Sequence, residues 1–289
     1  MGWSLVRIGS SLKKQGINAM RILLTNDDGI MAPGIRALYK AIQGLGEIVV
    51  IAPKTVQSAT SHGITYTEPL MVTEVEMMPG VRGIAVDGRP ADCVKLAMRE
   101  LWEDRFGEGS RPDLTISGMN SGANIGINVI YSGTVAAAIE SAFLGVPSIA
   151  VSLLLRDRKR TQWDRAAEIG RAIIDRVLER TLDPHEVVNI NIPKTELADQ
   201  PMPEVRVVGM NSAPLEEAYE RRTSPYGQVY YWAAGTGLTF AKTAPGSDVE
   251  AVLDGHASVT PLSYVMTDEA RMQTWREKFQ NPVVSSPSG

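Results

Sequence analysis

The fold is determined by Met20-Arg-Ile-Leu-Leu-Thr-Asn-Asp-Asp-Gly29, the first of several apolar runs that each end in a polar loop. Its apolar Ile-Leu-Leu run is typical of a short buried strand, and Gly29 marks the turn that ends it. The apolar residues of the next segment, 35–42, recur at helical spacing. The stretch therefore predicts a strand, a loop and a helix, with Asp27 and Asp28 in the loop at the carboxyl end of the strand.

Asp27 and Asp28 are two neighbouring carboxylates at a position where open α/β sheets bind ligands. Their charges repel each other unless a positive group lies between them. A hard divalent cation is the usual solution, because Mg²⁺ and Mn²⁺ prefer carboxylate oxygens. The alternative is a solvated turn, in which Asp, Asn and Gly are ordinary residues. This stretch alone leaves both interpretations open.

Strand and helix patterns alternate over the first two thirds of the chain. Short apolar runs predict strands at 21–25, 47–52, 84–86, 113–117, 148–152 and 187–192. Helical spacing predicts helices at 34–44, 91–102, 134–144 and 164–182. Strands that are apolar on both faces and separated by helices indicate a mostly parallel sheet covered on both sides. We therefore predict an α/β fold with a Rossmann-like three-layer core.

The remaining segments do not follow this alternation. Residues 1–19 carry basic residues without a continuous apolar core and are expected to form a flexible extension. The predicted core covers 20–198, with an extended, hairpin-like segment at 65–75. After a Pro-rich break, 199–280 read as a β-rich extension with a terminal helix. The Ser- and Pro-rich residues 281–289 are expected to be a disordered tail.

The overall composition excludes several classes of protein. Of the 289 residues, 44% are hydrophobic and 21% are charged, as in soluble globular proteins. A net charge of -4 argues against a general nucleic-acid binder, which needs a basic face. No apolar run approaches the roughly 18 residues of a membrane span. The single cysteine, Cys93, lies in an apolar stretch and fits a packed residue of a reducing compartment. We expect a cytoplasmic protein without a membrane or nucleic-acid partner.

Three further loops follow strands of the same predicted sheet. Residues 54–63 are rich in hydroxyl groups, 118–126 alternate glycines with side-chain amides, and 131–134 open an alanine-rich helix. Each loop alone is a weak signal, since Gly- and Asn-rich loops are usually turns and small helical residues usually serve close packing. The signal is that four such loops follow strands of one sheet and can converge at its edge.

Each loop offers a group that a phosphate or a metal requires. The glycines let backbone amides approach an anion, and Ser132 or Thr134 can cap a helix whose N-terminus favours phosphate. Ser58 and Asn120 offer neutral oxygens to a hard metal. A metal beside such a helix end suits hydrolysis of a phosphate ester. The role of His62 stays open between a structural loop histidine, a phosphate ligand and a proton donor.

Five motifs, taken together and in order, resemble one known family. They are Asn26-Asp-Asp-Gly29, Gln57-Ser-Ala-Thr-Ser-His62, Gly88-Arg-Pro-Ala-Asp-Cys93, Ser117-Gly-Met-Asn-Ser-Gly-Ala-Asn124 and Tyr131-Ser-Gly-Thr-Val135. This set resembles the survival protein E (SurE) family of metal-dependent 5′/3′-nucleotidases, which remove phosphate from nucleoside monophosphates. The resemblance extends from residue 20 to about residue 192.

The resemblance implies a ligand set and an assembly. The metal ligands would be Asp27, Asp28, Ser58 and Asn120, and the core would be of the Rossmann type. The C-terminal β-rich segment and last helix would exchange between subunits of a homodimer or homotetramer. One departure is Asn128, where many members of the family carry an acidic residue.

We therefore expect a phosphomonoesterase that uses Mg²⁺ or Mn²⁺ and acts on nucleoside 5′- and 3′-monophosphates. The expected catalytic residues are Asp27 and Asp28, and a metal-bound water attacks the phosphorus unless an Asp does so itself. The expected phosphate cradle is formed by Ser61, Asn124, Ser132, Gly133 and Thr134. Two alternatives stay open: a nucleotide- and metal-binding regulator without turnover, and a phosphatase for polyphosphate or another phosphate ester.

Overall fold

The structure, a computed structural model, describes residues 20–216, 218–234 and 238–280. Strands β1 to β11 are Met20–Thr25, Gly46–Pro53, Val72–Met78, Val81–Val86, Leu114–Ser121, Ser148–Leu153, Val187–Ile192, Val205–Val207, Ala218–Thr223, Val229–Ala234 and Ala257–Leu262. Helices α1 to α7 are Pro33–Ile42, Pro90–Leu96, Trp102–Phe106, Gly133–Phe143, Trp163–Val177, Asp248–Leu253 and Glu269–Gln280. A π-helical turn, Ala97–Leu101, joins α2 to α3, and a 3₁₀ turn, Gly126–Tyr131, precedes α4.

A nine-stranded sheet with the order β3-β4-β2-β1-β5-β6-β7-β11-β8 forms the centre of the protein. The strands from β4 to β7 in this order are parallel, whereas β3 and β11 run antiparallel to their neighbours β4 and β7. All residues of β6 and β7 are buried, as expected of strands covered on both faces. The predicted mostly parallel α/β sheet is confirmed.

Helices cover both faces of the sheet. On one face, α1 and α5 pack against each other and contribute Ile35, Leu38 and Ile173 to the largest apolar cluster. On the other face, α2 and α4 pack together and bury Val94 and Ala137. The predicted three-layer arrangement is therefore present. No helix within the described ranges is long and apolar enough to cross a membrane.

Some element boundaries differ from those predicted. In the hairpin-like segment predicted at 65–75, only the last residues belong to a strand, β3. This strand forms a hairpin with the following strand, β4. The predicted helix at 91–102 is interrupted by the π-helical turn, which a hydrophobic period does not reveal. Two C-terminal strands, β8 and β11, extend the main sheet. The domain division near residue 199 stays a prediction, and residues 1–19 and 281–289 lie outside the described residues.

Residues 212–247, which we call the arm, leave the main sheet and contain the β9–β10 hairpin. The base of the arm is closed by the fully buried side chain of Asp248. Its carboxylate accepts hydrogen bonds from the backbone N–H groups of Gly126, Asn211 and Val249, each at 2.8 Å. Its own N–H donates to the carbonyl of Gly209 at 2.9 Å. Asp248 thus joins both ends of the arm to the loop that follows β5.

Candidate active site

The two carboxylates Asp27 and Asp28 follow β1, which lies between β2 and β5. Asp27 is 5% exposed and Asp28 is half-buried. The hydroxyl group of Thr134 donates a hydrogen bond to Oδ1 of Asp27 at 2.5 Å. The backbone N–H of Ser121 donates to Oδ2 of Asp28 at 2.7 Å. Each carboxylate is therefore oriented by a donor from a neighbouring element, one from α4 and the other from the end of β5.

Burial gives Asp27 an unusual electrostatic environment. The pKa of its carboxyl group is raised to about 6. Loss of hydration is the main cause and the charge of Asp28 adds to it, whereas the hydrogen bond from Thr134 acts in the opposite direction. A second carboxylate beside a buried one is unfavourable without a compensating positive group. The pair is therefore suited to bind a cation.

Gly133 allows the N-terminus of α4 to approach Asp27 closely. A Cβ atom at Gly133 would lie 2.8 Å from Cβ of Asp27 and 3.0 Å from Cγ of Pro90, so no side chain fits there. Ser132 caps the helix, its hydroxyl oxygen accepting a hydrogen bond from the N–H of Val135 at 3.1 Å. The partial positive charge of this helix end is therefore directed at the carboxylates and at any phosphate beside them.

The loop after β2 connects Asp27 to the 3₁₀ turn. The N–H of Gln57 donates to the carbonyl of Asp27 at 2.8 Å. Ser61 is held at the other end, since its N–H donates to the carbonyl of Tyr131 at 3.1 Å and its hydroxyl to the carbonyl of Ile130 at 2.7 Å. Ser58 lies between these anchors and is exposed. The predicted metal ligand of this loop is therefore adjacent in sequence to a residue bonded to Asp27.

Asn120 occupies the matching position on the other side of β1. Its side-chain nitrogen donates to the carbonyl of Gly122 at 2.7 Å, which leaves its amide oxygen as an acceptor. The next residue, Ser121, is the one bonded to Asp28. No group of three or more His, Cys, Asp or Glu residues that could hold a metal occurs within the part of the chain that the structure describes. A cation here would depend on two carboxylates completed by hydroxyl and amide oxygens, a set that fits Mg²⁺ or Mn²⁺.

Asn124 lies apart from the other predicted phosphate ligands. It is 7% exposed, and its side-chain nitrogen donates to the hydroxyl of Ser152 at 2.8 Å. Its N–H donates to Oδ1 of Asn191 at 2.7 Å, and the side chains of Asn189 and Asn191 donate to its carbonyl. Asn124 thus fixes the loop after β5 to the ends of β6 and β7. The signal for this network was available in the two asparagines of the otherwise apolar strand Val187–Ile192.

The buried carboxylate of Glu140 lies beside the loop after β2 and is contacted by two partly exposed basic side chains. Nε2 of His62 is 2.7 Å from Oε2 of Glu140, and Nζ of Lys95 is 3.7 Å from Oε1 of the same carboxylate. The side chain of Glu140 is 8% exposed and projects from α4. The contact between His62 and Glu140 therefore joins the loop to α4. The role of Glu140 was not predicted from the sequence, although an acidic residue within an alanine-rich helix was a usable signal.

Comparison with known proteins identifies related chains. The family model described as survival protein SurE matches residues 22–217. The 5′-nucleotidase SurE of Heliobacterium modesticaldum is 42% identical over 260 residues, with 88% of this chain and 90% of that protein covered. The 5′-nucleotidase SurE of Rhodopirellula baltica is 42% identical, with 89% and 98% covered.

A solved structure supports the same relationship. The SurE protein from Aquifex aeolicus superimposes with a TM-score of 0.75 at 34% sequence identity, and the match covers 90% of this chain and 99% of that one. The resemblance predicted from the five sequence motifs is confirmed by these similarities.

Proposed function

The chain belongs to the SurE family, and on this premise we propose that it is a metal-dependent phosphomonoesterase that hydrolyses nucleoside 5′-monophosphates, and 3′-monophosphates, to nucleoside and phosphate. Relatives that cover most of the chain carry the name 5′-nucleotidase SurE. The observation that carries the proposal is the contact between the buried Asp27 carboxylate and the N-terminus of α4, which brings a cation site and an anion site together.

Four side chains would hold Mg²⁺ or Mn²⁺: the carboxylates of Asp27 and Asp28, the hydroxyl of Ser58 and the amide oxygen of Asn120. When bound, the metal would polarise a phosphoryl oxygen and activate a water molecule. Support for this set comes from the repulsion between the two carboxylates. Ser58 and Asn120 are also placed beside them, since the neighbour of Ser58 donates to the main-chain carbonyl of Asp27 and the neighbour of Asn120 donates to the carboxylate of Asp28.

The other residues of the site would position the carboxylates and the phosphate. The Thr134 hydroxyl holds Asp27, and the N–H of Ser121 holds Asp28. The helix end at Gly133 would bind the phosphate through backbone N–H groups, which need little reorganisation. The Ser61 hydroxyl donates to Ile130, so it would serve the phosphate only by exchanging this hydrogen bond.

We further propose that the protein is a homodimer or homotetramer assembled through its C-terminal segments. All described side chains of β9 and β10 are exposed, and α7 has no buried residue. The exposed residues include Tyr231 at 62%, Trp232 at 58% and Phe279 at 79%. Apolar surface of this extent in monomers usually marks an interaction site.

The test is phosphate release from a panel of nucleoside 5′- and 3′-monophosphates with Mn²⁺, Mg²⁺ or EDTA. We expect metal-dependent release by the wild type and a fall of about 10³-fold in Asp28→Asn, because charge stabilisation usually dominates such chemistry. Folded wild-type protein that binds nucleotide without releasing phosphate would instead be a regulator. Rapid-quench capture of a phosphoenzyme would replace the water mechanism with attack by an Asp.

A further inference from the structure

The guanidinium group of Arg89 lies against the backbone of Gly63, in the loop after β2. A Cβ atom at Gly63 would be 2.2 Å from Nη1 of Arg89 and 3.1 Å from its Cζ. Gly63 is not among the glycines with positive φ, so its backbone conformation does not itself require glycine. The missing side chain therefore makes room for the guanidinium group of Arg89, an exposed residue.

Arg89 has no counter-ion within the residues that the structure describes. Two acidic groups of neighbouring elements, Asp92 and Glu140, are engaged elsewhere. The Asp92 carboxylate accepts hydrogen bonds from the N–H of Arg89 and from the N–H and hydroxyl groups of Thr65, and Glu140 pairs with His62. An exposed arginine without a carboxylate partner among these residues is suited to an anion from outside the chain, because its planar fork matches phosphate oxygens.

Arg89 stands at the rim of the phosphate cradle. The next residue, Pro90, borders Gly133, and a Cβ atom at Gly133 would contact both Pro90 and Asp27. Gly63 is two residues beyond Ser61, which is a distance of at most about 7 Å along the chain. The guanidinium group is therefore near the predicted cradle but outside the residues that form it.

We propose that Arg89 is a specificity-determining residue that binds a second phosphate group on the substrate, so that the site favours nucleoside 3′,5′-bisphosphates. This inference rests on the proposed function. The reacting phosphate is served by the helix end and the metal site, and the ribose separates the two phosphates by a few bonds, on the scale of the step from Ser61 to Gly63. Water adds to phosphorus, the ester P–O bond breaks, and the ribose hydroxyl leaves with a proton, so the products are a nucleoside monophosphate and inorganic phosphate.

The first experiment compares kcat/KM for adenosine 3′,5′-bisphosphate with that for AMP in the presence of Mn²⁺. In Arg89→Gln we expect the ratio of the two values to fall about tenfold or more, mainly through KM of the bisphosphate, since a charge-assisted hydrogen bond is lost. Arg99→Gln, which removes an exposed arginine of the neighbouring π-helical turn, is the control and should keep the ratio. Equal losses on both substrates, or an unchanged ratio in Arg89→Gln, would overturn the inference.

Gly63→Ala tests the position of the arginine while keeping its charge. The added methyl group must displace the guanidinium group, so we expect a smaller fall in the same ratio. The double variant should lose little more than Arg89→Gln alone, because both changes act on one contact. An unchanged ratio in Gly63→Ala, or independent addition of the two losses, contradicts the proposal.

Calorimetric titration separates this inference from the proposed function. Dissociation constants of the same two nucleotides, measured without turnover in Ca²⁺, give the same comparison for wild type and Arg89→Gln. If the wild type releases no phosphate, but Arg89→Gln weakens bisphosphate binding about tenfold more than AMP binding, the proposed function fails and the inference stands. If phosphate is released and the binding ratio does not change, the inference fails alone.

Discussion

Two regions project from the main sheet: the loops at the ends of β1 and β5, and the arm of residues 212–247. They differ in how far their side chains are buried. In the loops, Asp27 and Asn124 are at most 7% exposed, and the side chain of each is hydrogen-bonded to another element. In the arm, every described side chain of the β9–β10 hairpin is exposed, including Trp232 at 58%.

The loops are held by contacts within one chain, whereas the exposed hairpin would be held by contacts with a second chain. The chain itself holds the side chains of Asp27 and Asn124 through burial and hydrogen bonds. An isolated two-stranded hairpin is marginal in water, and no described side chain of β9 or β10 is buried within its own chain. The proposed oligomer would supply the missing contacts. Substitutions in the two regions should therefore affect different measured quantities.

Asp27→Asn should have the largest effect on stability, in the direction of a gain. Because the pKa of Asp27 is raised from 3.8 to about 6, its ionised form opposes folding, and the metal-free protein loses stability as pH rises through about 4 to 6. Removing the charge should raise the free energy of unfolding by up to about 3 kcal/mol at pH 7.5 and by little at pH 4. Urea unfolding in EDTA measures both values.

The control for this prediction is Asp87→Asn, which removes an exposed carboxylate on another strand-end loop and should change little at either pH. An equal gain for Asp27→Asn at both pH values would mean that burial of the charge is not the cause. A loss of stability at pH 7.5 would mean that the carboxylate stabilises the loops.

Adding metal should stabilise the wild-type loops to a similar degree. At a free Mn²⁺ concentration of about 100 times Kd, binding to the folded state alone adds about 2.7 kcal/mol to the free energy of unfolding. Asp28→Asn should lose most of this gain, whereas Asp87→Asn should keep it. Thermal unfolding with and without Mn²⁺ provides the comparison. Wild-type protein that gains nothing from either Mn²⁺ or Mg²⁺ would contradict the predicted metal site.

Thr134→Val should cost about 1–2 kcal/mol, because the buried Asp27 carboxylate loses its hydroxyl donor. The same change should raise the pKa of Asp27 further, since this hydrogen bond now lowers it. Thr73→Val on the exposed edge strand β3 is the matched control. Chemical unfolding at pH 7.5 measures both variants, and equal effects would show that the hydroxyl group is not required at the site.

Trp232→Glu should have the smallest effect on the subunit, within about 0.5 kcal/mol, since the indole is exposed there. Its main consequence should be a lower mass in analytical ultracentrifugation, because a charge would be placed in the proposed subunit contact. Tyr66→Glu, at 91% exposure outside the arm, should leave the mass unchanged. A wild type that sediments as a monomer would contradict the proposed assembly.

The sequence predicted the features that depend on local order. The six core strands and the position of Asp27 and Asp28 follow from apolar period and turn residues, which reflect burial along one segment. Glu140 and Asp248 were missed because their partners are distant in the chain. Gly126, for example, is 122 positions from Asp248. A buried carboxylate is explained only by the donors that surround it, and a hydrophobic pattern carries no information about them.

The same limit applies to the hydrogen-bond partners of residues that were predicted to bind phosphate. Thr134 was predicted to bind phosphate, and its hydroxyl group is bonded to Asp27. Asn124 was predicted for the same role and is enclosed by Asn189, Asn191 and Ser152. Residue type indicated the polar chemistry of these loops, but the choice of partner depends on the approach of strands that are far apart in sequence. Their phosphate roles stay predictions.

Asp248 closes the base of the arm, so a domain inserted within the arm would leave the two ends of the arm adjacent. Asp248 holds Gly209 at 2.9 Å and Asn211 at 2.8 Å, so the two ends of the excursion stay adjacent whatever lies between them. Each doubling of such a loop costs only about 0.6 kcal/mol of closure entropy. A fluorescent reporter with neighbouring termini, placed at the exposed turn around Gly227, would leave the sheet and its strand-end loops intact. Mixing chains that carry donor and acceptor reporters would test the proposed assembly, because energy transfer between the reporters requires contact between subunits.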